Sequence, residues 1–532
     1  MSDSATADQR AEVTKRIARE GLVNVLATGI GSLLQFLLLV LVTRNFDTDT
    51  SGALFTATSI FLIIVAACVL GTDQGFVWHL ATLRAWQRRL DIGPALRSGL
   101  VPILATGAVI TSAGIVGVEV IAEWLHVDSP GGRIFVLALV IALLPACLET
   151  SMLAATRGLG YVRPTILVDR LSLPLIQVAA TAVVVLTGGG LAALGAAWGS
   201  GYVVTGVLAT WRARKAVRDF AAVESVRAEP PLPRRTRSVV RWEFWRNTIP
   251  RMWIRLCQIG VQRLDIAVIG LVVSLRDAAI YTGASRLTVL GQIATQAVVQ
   301  MAQPHFAKLL SMKEYGLTRD IYRTATRWFV LATWPLYLTG IVLADKVLRL
   351  FGDEYRAGAT VLVLLSSAML IASFVGPIDT ILTMSGRSGL SLLNFAAALV
   401  VDIALLALLL PRYGIIGAGI AWATAIAVRN LLTLLQVWRL YGVDPFSWLL
   451  VKLAGACIVC FAAMPGMARL LAPDSLTVLL LALLLATACY VALLARWRDG
   501  LELTAFLAIR DRRRRFAGDL PDASTTGKDR TR

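Results

Sequence analysis

Long apolar segments recur along the whole 532-residue chain, and each is about as long as the hydrocarbon core of a bilayer is thick. Hydrophobic residues make up 57% of the sequence and charged residues only 16%, against about 45–50% and about 25% in soluble domains. Lipid offers the backbone no hydrogen-bond partners, so such segments have to cross it as helices. The sequence therefore predicts an all-α polytopic membrane protein.

Hydropathy predicts about fourteen spanning helices. Their ranges are 22–42, 53–71, 99–120, 134–153, 166–187, 191–211, 249–273, 278–302, 328–344, 358–378, 389–410, 414–435, 448–470 and 475–495. The first 21 residues are polar and lack the apolar core of a signal peptide. We therefore expect the first spanning helix to act as its own insertion signal.

Lysine and arginine are distributed unevenly between the two sides of this layout. Ten lie in 212–246 and ten in 496–532, whereas all the loops on the opposite side together hold eight. The positive-inside rule then places both termini in the cytoplasm. The net charge of +18 is accordingly expected to contact anionic lipid headgroups, and no nucleic acid is expected as a partner.

Short similarities repeat along the chain. GLAALGAAWG at 190–199 resembles GIIGAGIAWA at 414–423, and GALFTATS at 52–59 resembles AAIYTGAS at 278–285. Each offset spans six helices, an even number, so the two copies would form parallel-repeat six-helix lobes in the same orientation. The expected organisation is a cytoplasmic tail (1–21), an N-lobe (22–211), a cytoplasmic linker with an interfacial helix (212–248), a C-lobe (249–435), two added helices (436–495) and a basic cytoplasmic tail (496–532).

One predicted span, 249–273, is unusually polar for its position. Arg251, Arg255, Gln258, Gln262 and Asp265 fall within about 80° of each other on a helical wheel. A charge at mid-bilayer costs at least about 2.5–3.5 kcal/mol, so this face has to meet a partner or water. The pattern predicts a wet cavity between the lobes, cationic toward the cytoplasm.

Two other spans carry polar stripes that would line the same cavity. The residues are Asn24, Thr28 and Gln35 on the first span, and Gln292 and Gln296 on the eighth. Arg263 lies about 100° or more from the centre of the stripe on 249–273 and is expected to pair with another helix. The residues considered for ion pairing or ion coupling are Asp265, Arg286, Asp402 and Arg429.

Guanidinium groups bind phosphate oxygens bidentately, so Arg251, Arg255 and Arg263 predict an anionic, phosphorylated lipid or a polyanion as substrate. Simpler interpretations stay open. Arg251 and Arg255 could extend to the headgroups, and Arg263 with Asp265 could form a structural ion pair. The glutamines could serve only as interhelical hydrogen bonds. The three scattered histidines predict no metal site, and no cofactor is expected.

Several short motifs occur in a characteristic order: Thr43-Arg44-Asn45-Phe46, Asp73-Gln74-Gly75, Arg157-Gly158-Leu159-Gly160 and Tyr413-Gly414-Ile415. With them, over about residues 15–440, the chain resembles the polysaccharide-transporter (O-antigen-type flippase) branch of the multidrug/oligosaccharidyl-lipid/polysaccharide exporter superfamily. The resemblance implies alternating access and translocation of a polyprenyl-pyrophosphate-linked oligosaccharide across the bacterial plasma membrane. It also implies that cavity arginines hold the pyrophosphate, and that a polysaccharide polymerase and glycosyltransferases act in the same pathway.

Three other functions remain open on sequence alone. A lipid II flippase would use the same chemistry, and a cation-coupled multidrug exporter belongs to the same superfamily. A membrane glycosyltransferase or polymerase would need catalytic groups on an outward loop. The longest such loop, 345–357, offers Asp353 and Glu354 but little room, so no enzyme activity is expected.

Overall fold

The computed structural model describes residues 2–86, 88–225, 236–473 and 475–497, and this part of the chain is almost entirely helical, with no strand. The all-α prediction is confirmed. The proline-rich part of the predicted linker, 229–233, and the basic tail from residue 498 onward lie outside the described residues.

The first half of the chain forms α1 (Ser2–Asn45), α2 (Thr48–Cys68), α3 (Thr72–Ala85), α4 (Arg89–Val116), α5 (Val118–Trp124), α6 (Pro130–Gly158), α7 (Arg163–Thr165), α8 (Leu173–Leu186) and α9 (Leu191–Ser225). A π-helical turn, Ile166–Ser172, joins α7 to α8. Small residues of α9 let it pack closely against α6, with Gly195 on Phe135 and Gly206 on Pro145.

The second half forms α10 (Arg237–Val272), α11 (Leu275–Ser311), α12 (Tyr315–Val342), α13 (Ala344–Leu348), α14 (Ala359–Val375), α15 (Ile378–Met384), α16 (Ser388–Tyr441), α17 (Trp448–Ile458), α18 (Met464–Leu471) and α19 (Leu476–Arg496). A 3-10 turn, Asp353–Gly358, precedes α14, and a π-helical turn, Val459–Ala463, joins α17 to α18.

Ten segments of the described chain are long and apolar enough to cross a membrane, which fits a multi-pass membrane protein. One of them, Ser388–Tyr441, contains two of the predicted spans. Three further predicted spans coincide with α10, α11 and α12, which are not among the ten. The number of fourteen spans and the cytoplasmic location of the termini stay predictions.

Helix α16 is broken between its two predicted spans. Gly414 has φ of 54° and ψ of −138°, a conformation outside the helical region that residues with a side chain rarely adopt. Any side chain at position 417 would also meet the backbone of Leu409. Two glycines therefore permit the sharp reversal that the sequence predicts between 410 and 414.

The segment predicted as an interfacial helix forms the first part of α10, and its location at the membrane interface stays a prediction. No break separates it from the following span, because Pro250 is tolerated inside the helix. Val240 and Phe244 are buried in the protein, with Phe244 5.3 Å from Phe76 between ring centroids. The apolar face of this segment thus packs on α3, while Trp242 remains exposed.

Candidate functional site

A cavity of about 140 Å³ lies between the N-lobe and the C-lobe. It is bordered by α1, α2, α8 and α9 on one side and by α10 and α11 on the other. Its polar lining consists of Ser32, Gln35, Thr58, Gln177, Tyr202, Arg263 and Arg286. A space of this size with several polar groups is large enough for several water molecules. It is the described feature that corresponds to the predicted wet cavity.

Arg263 on α10 and Arg286 on α11 both line this cavity, and each guanidinium lies within electrostatic reach of the other. Neither forms an ion pair with a carboxylate among the described residues. Two neighbouring, half-buried positive charges without a counterion repel each other and favour an anion between them. The cavity therefore presents a cationic wall on its C-lobe side.

Asp265, two residues from Arg263, faces a different set of neighbours. Its carboxylate accepts a hydrogen bond of 2.7 Å from the hydroxyl of Tyr281, and it lies beside the carboxyl group of Asp402. A structural ion pair between Arg263 and Asp265 is therefore absent from the described structure. Asp265 and Asp402 instead form a pair of buried carboxyl groups inside the C-lobe.

The N-terminal half of the α10 stripe contacts N-lobe side chains and does not line the cavity. Arg251 lies over the ring of Trp78 at 5.3 Å, and its guanidinium also donates to the carbonyl of Asn247. Arg255 lies 3.7 Å from a carboxylate oxygen of Asp73. Close approach of α10 to α3, with Met252 against Gly71, makes these contacts possible.

The other predicted lining residues are dispersed. Gln35 lines the cavity, whereas Gln258, Gln262, Gln292 and Gln296 do not. Gln262 and Gln296 are nevertheless exposed, and Gln258 and Gln292 are half-buried. Their side chains are therefore accessible outside the cavity lining.

Asn24 and Thr28 lie nearer the start of α1. The Asn24 amide donates to the side chain of Gln300 on α11 at 3.1 Å, and the hydroxyl of Thr28 donates to the carbonyl of Asn24. This contact joins an N-lobe helix to a C-lobe helix. Asn24 thus makes an interhelical hydrogen bond, whereas the bond of Thr28 stays within α1.

Arg429 is also outside the cavity. Its guanidinium lies over the ring of Phe395 at 4.9 Å and within electrostatic reach of Asp379. Both neighbours belong to the C-lobe, so Arg429 serves the packing of that lobe.

Five cavity residues with a polar group in the side chain were not among the sequence candidates: Ser32, Thr58, Gln177, Trp198 and Tyr202. Trp198 and Tyr202 are four residues apart on α9 and so share one helix face. An amphipathic aromatic pair in an otherwise apolar span was the available signal. It was hidden because such residues also occur at membrane interfaces and in helix packing.

Comparison with solved structures identifies the fold. An inward-facing multidrug resistance MATE family transporter of the MOP superfamily matches with a TM-score of 0.61 and 13% identity, over 81% of this chain and 99% of that one. The lipid II flippase MurJ, in an inward closed conformation, matches with a TM-score of 0.55 and 12% identity, over 84% and 98%. The chain has the MOP superfamily fold.

A further MOP superfamily transporter, from Pyrococcus furiosus, matches with a TM-score of 0.53 and 15% identity, over 78% of this chain and 93% of that one; its reported binding pocket has reversed polarity. The predicted resemblance to the superfamily is thus confirmed for the fold. In the MOP fold of this chain, the cavity with Arg263 and Arg286 lies between the two lobes.

Sequence comparison adds one relative. The probable low-salt glycan biosynthesis flippase Agl15 of Haloferax volcanii is 24% identical over 170 residues, which are 32% of this chain and 36% of that protein. The similarity therefore spans about a third of the length of this curated relative. No family model matches the sequence.

Proposed function

We propose that this protein is a flippase that moves a polyprenyl-pyrophosphate-linked oligosaccharide from the cytoplasmic to the outer leaflet of a bacterial plasma membrane. The observation that carries the proposal is the pair Arg263 and Arg286, which face one cavity between the lobes without a carboxylate partner. The names of two similar proteins, a glycan biosynthesis flippase and a lipid II flippase, support it.

A pyrophosphate matches this pair chemically. It carries charge on two linked phosphoryl groups, and each guanidinium offers a planar fork of donors to phosphate oxygens. Because the two arginines come from different helices, the pyrophosphate would hold α10 and α11 in one relative position. The polyprenyl tail would remain in lipid, since only the polar headgroup needs shelter from it.

Arg251 and Arg255, with Gln258 and Gln262, lie earlier on the same helix and would attract the headgroup as it enters from the cytoplasmic leaflet. Rocking of the N-lobe against the C-lobe then exposes the cavity to the other side. Glycosyltransferases would supply such a substrate, and a polysaccharide polymerase would consume it.

A cation-coupled exporter is the second candidate. The adjacent carboxyl groups of Asp265 and Asp402 favour it, because paired carboxyl groups inside a lobe can take up a proton or a cation. This candidate predicts that Asp402, and not Arg286, is needed for export.

Lipid analysis in the source cell tests the proposal. The protein is depleted and complemented with Arg263→Gln, Arg286→Gln or Arg133→Gln, and polyprenyl-linked lipids are measured by mass spectrometry. Arg133 is the control because it is exposed and pairs with Glu119 at 2.9 Å, away from the cavity. We expect a lipid-linked oligosaccharide to accumulate with the first two variants and not with the third. An unchanged lipid pool after depletion would overturn the proposal.

A further inference from the structure

The cavity has two chemically different walls. The C-lobe wall carries Arg263 and Arg286, whereas the N-lobe wall carries the aromatic residues Trp198 and Tyr202 and the amide Gln177. We propose that the N-lobe wall binds the sugar directly attached to the pyrophosphate, with the ring of Tyr202 as its stacking platform. This inference rests on the proposed function and adds the part of the substrate that the N-lobe recognises.

The aromatic wall is rigidly supported. Tyr202 packs on Trp198 with ring centroids 5.0 Å apart, and on Phe61 of α2 at 5.2 Å. Phe61 also meets Trp198 edge-to-face at 5.0 Å. Phe61 and Trp198 are buried, whereas Tyr202 is half-buried and reaches the cavity. Three mutually packed rings thus fix the orientation of the one ring that is most accessible.

An aromatic face suits a sugar ring. The π-face carries partial negative charge, and the C–H groups on one side of a pyranose are weakly positive and apolar. A phosphate does not need such a surface, and a polyprenyl tail would gain nothing from the neighbouring amide and guanidinium groups. The combination of ring, amides and cations therefore fits a glycosyl pyrophosphate better than either fragment alone.

Two side-chain amides line the same cavity as the Tyr202 ring. The amide nitrogen of Gln177 donates to the carbonyl of Trp198 at 3.2 Å, which holds this side chain at the wall. Gln35 of α1 lines the cavity with no protein hydrogen-bond partner among the described residues. Both amides can offer a carbonyl oxygen to sugar hydroxyls.

Comparison of the two repeats sets Trp198 apart. Its sequence counterpart Trp422 donates its indole N–H to the carbonyl of Val261 at 3.0 Å, a contact within the C-lobe. In the described part of the chain the indole N–H of Trp198 donates to no protein group. The N-lobe tryptophan therefore lines the cavity without a protein acceptor for its indole N–H among the described residues, whereas its counterpart has one.

The two walls are close enough to bind neighbouring groups of one molecule. Tyr202 and Arg263, on opposite sides of the cavity, lie within electrostatic reach of each other. A pyrophosphate at Arg263 would thus place its first sugar at Tyr202. The substrate would then link the N-lobe to the C-lobe, so that its binding favours a state in which the lobes are held together.

Binding of defined lipids to the purified protein in detergent tests this inference. The probes are polyprenyl pyrophosphate and polyprenyl pyrophosphates that carry one glucose, galactose or N-acetylglucosamine. We expect at least one sugar-bearing probe to bind roughly three- to tenfold more tightly than the sugar-free probe. Equal affinity of all four probes for the wild-type protein would overturn the inference without any substitution.

Substitutions then separate the two walls. Tyr202→Leu should reduce the ratio between sugar-bearing and sugar-free probes to about one without weakening the sugar-free probe, whereas Tyr202→Phe should keep the ratio. Arg263→Gln should weaken all four probes alike. If Tyr202→Leu leaves the ratio between sugar-bearing and sugar-free probes unchanged, the proposed sugar site is wrong but the proposed function is not. If no probe binds the wild-type protein, the proposed function fails as well.

Discussion

Arg255 of α10 and Asp73 at the start of α3 form an ion pair, in which the guanidinium Nε lies 3.7 Å from a carboxylate oxygen. The pair joins the C-lobe to the N-lobe near the predicted cytoplasmic side. It is unequal: the side chain of Asp73 is 9% exposed and that of Arg255 is 41% exposed. The carboxylate is therefore the partner that depends more on the contact.

This inequality predicts that Arg255→Gln destabilises the protein more than Asp73→Asn does. The first change leaves a nearly buried carboxylate without its partner, whereas the second leaves an arginine that still reaches water. Arg157, which is also within electrostatic reach of Asp73, limits the loss to about 1 kcal/mol. Thermal unfolding in detergent measures both variants and the double variant. A larger loss of thermal stability with Asp73→Asn than with Arg255→Gln would contradict the ion pair. So would a double variant whose loss equals the sum of the two single losses.

Gly52 of α2 packs so closely on α11 that any Cβ would overlap the carbonyl of Leu275. Both residues lie near the predicted outer ends of their helices, so Gly52→Val should push the lobes apart there. Ser51, which is fully buried, reports this opening once it is replaced by cysteine in a background without the six native cysteines. We expect its reaction with a water-soluble maleimide to be several-fold faster with Gly52→Val.

The matched control for this opening is Gly455→Val, since a Cβ at position 455 meets nothing within 4 Å. It should leave the reaction of the cysteine at position 51 unchanged. An equal rate in both variants would show that Gly52 does not close the outer side.

Glu354 accepts a hydrogen bond of 2.9 Å from Thr48 and lies 3.4 Å from Arg276, and the contact with Thr48 links the two lobes at their predicted outer ends. Asp353 is exposed and 3.6 Å from Arg349. Both carboxylates thus take part in structural contacts with neighbouring side chains. We therefore expect Asp353→Asn and Glu354→Gln to retain more than half of the wild-type flipping rate, because an exposed pair contributes only about 0–1 kcal/mol. If Asp353 and Glu354 were catalytic groups of an enzyme, the same substitutions would lower its activity by orders of magnitude. The yield of polymer measures this difference.

Asp402 is fully buried, and neither of its carboxyl oxygens has a hydrogen-bond partner among the described residues. Its neighbour Asp265 is satisfied on one side only, by Tyr281. Replacing one of two adjacent buried carboxyl groups with an amide removes the cost of burying a second ionisable group, so Asp402→Asn should stabilise the protein by about 1 kcal/mol or more. The apparent melting temperature in detergent should therefore rise.

The control for this prediction is another buried aspartate that is paired. Asp91 lies 2.7 Å from Arg88, so Asp91→Asn should lower the melting temperature. A fall with Asp402→Asn as well would mean that the Asp265 and Asp402 carboxyls stabilise each other.

The sequence predicts the helical class and the positions of the apolar spans well, because lipid imposes one backbone solution on every long apolar segment. It also predicts charged residues on α10, of which Arg263 lines the cavity. The break at Gly414 was foreseen as a boundary between spans, since glycine permits the positive φ found there.

The contacts of each α10 residue could not be predicted in the same way. A helical wheel gives the direction in which Arg255 or Arg263 projects from the axis of α10. It does not show which neighbouring helix lies in that direction. Arg255 meets Asp73 of α3, while Arg263, away from the stripe, reaches the cavity beside Arg286. The relative rotation of α2, α3 and α11 around α10 decides this, and it depends on close packing at residues such as Gly71 and Gly52.

Flipping in proteoliposomes tests the central claim most directly. A polyprenyl-pyrophosphate-linked oligosaccharide with a fluorescent sugar is placed in both leaflets, and a membrane-impermeant reagent quenches the outer one. With the wild-type protein the inner pool should become accessible, and Arg263→Gln with Arg286→Gln should slow this at least tenfold, because each lost charged hydrogen bond costs about 1.5–3 kcal/mol. Arg133→Gln should flip like wild type. A double variant as fast as the wild-type protein would contradict the account.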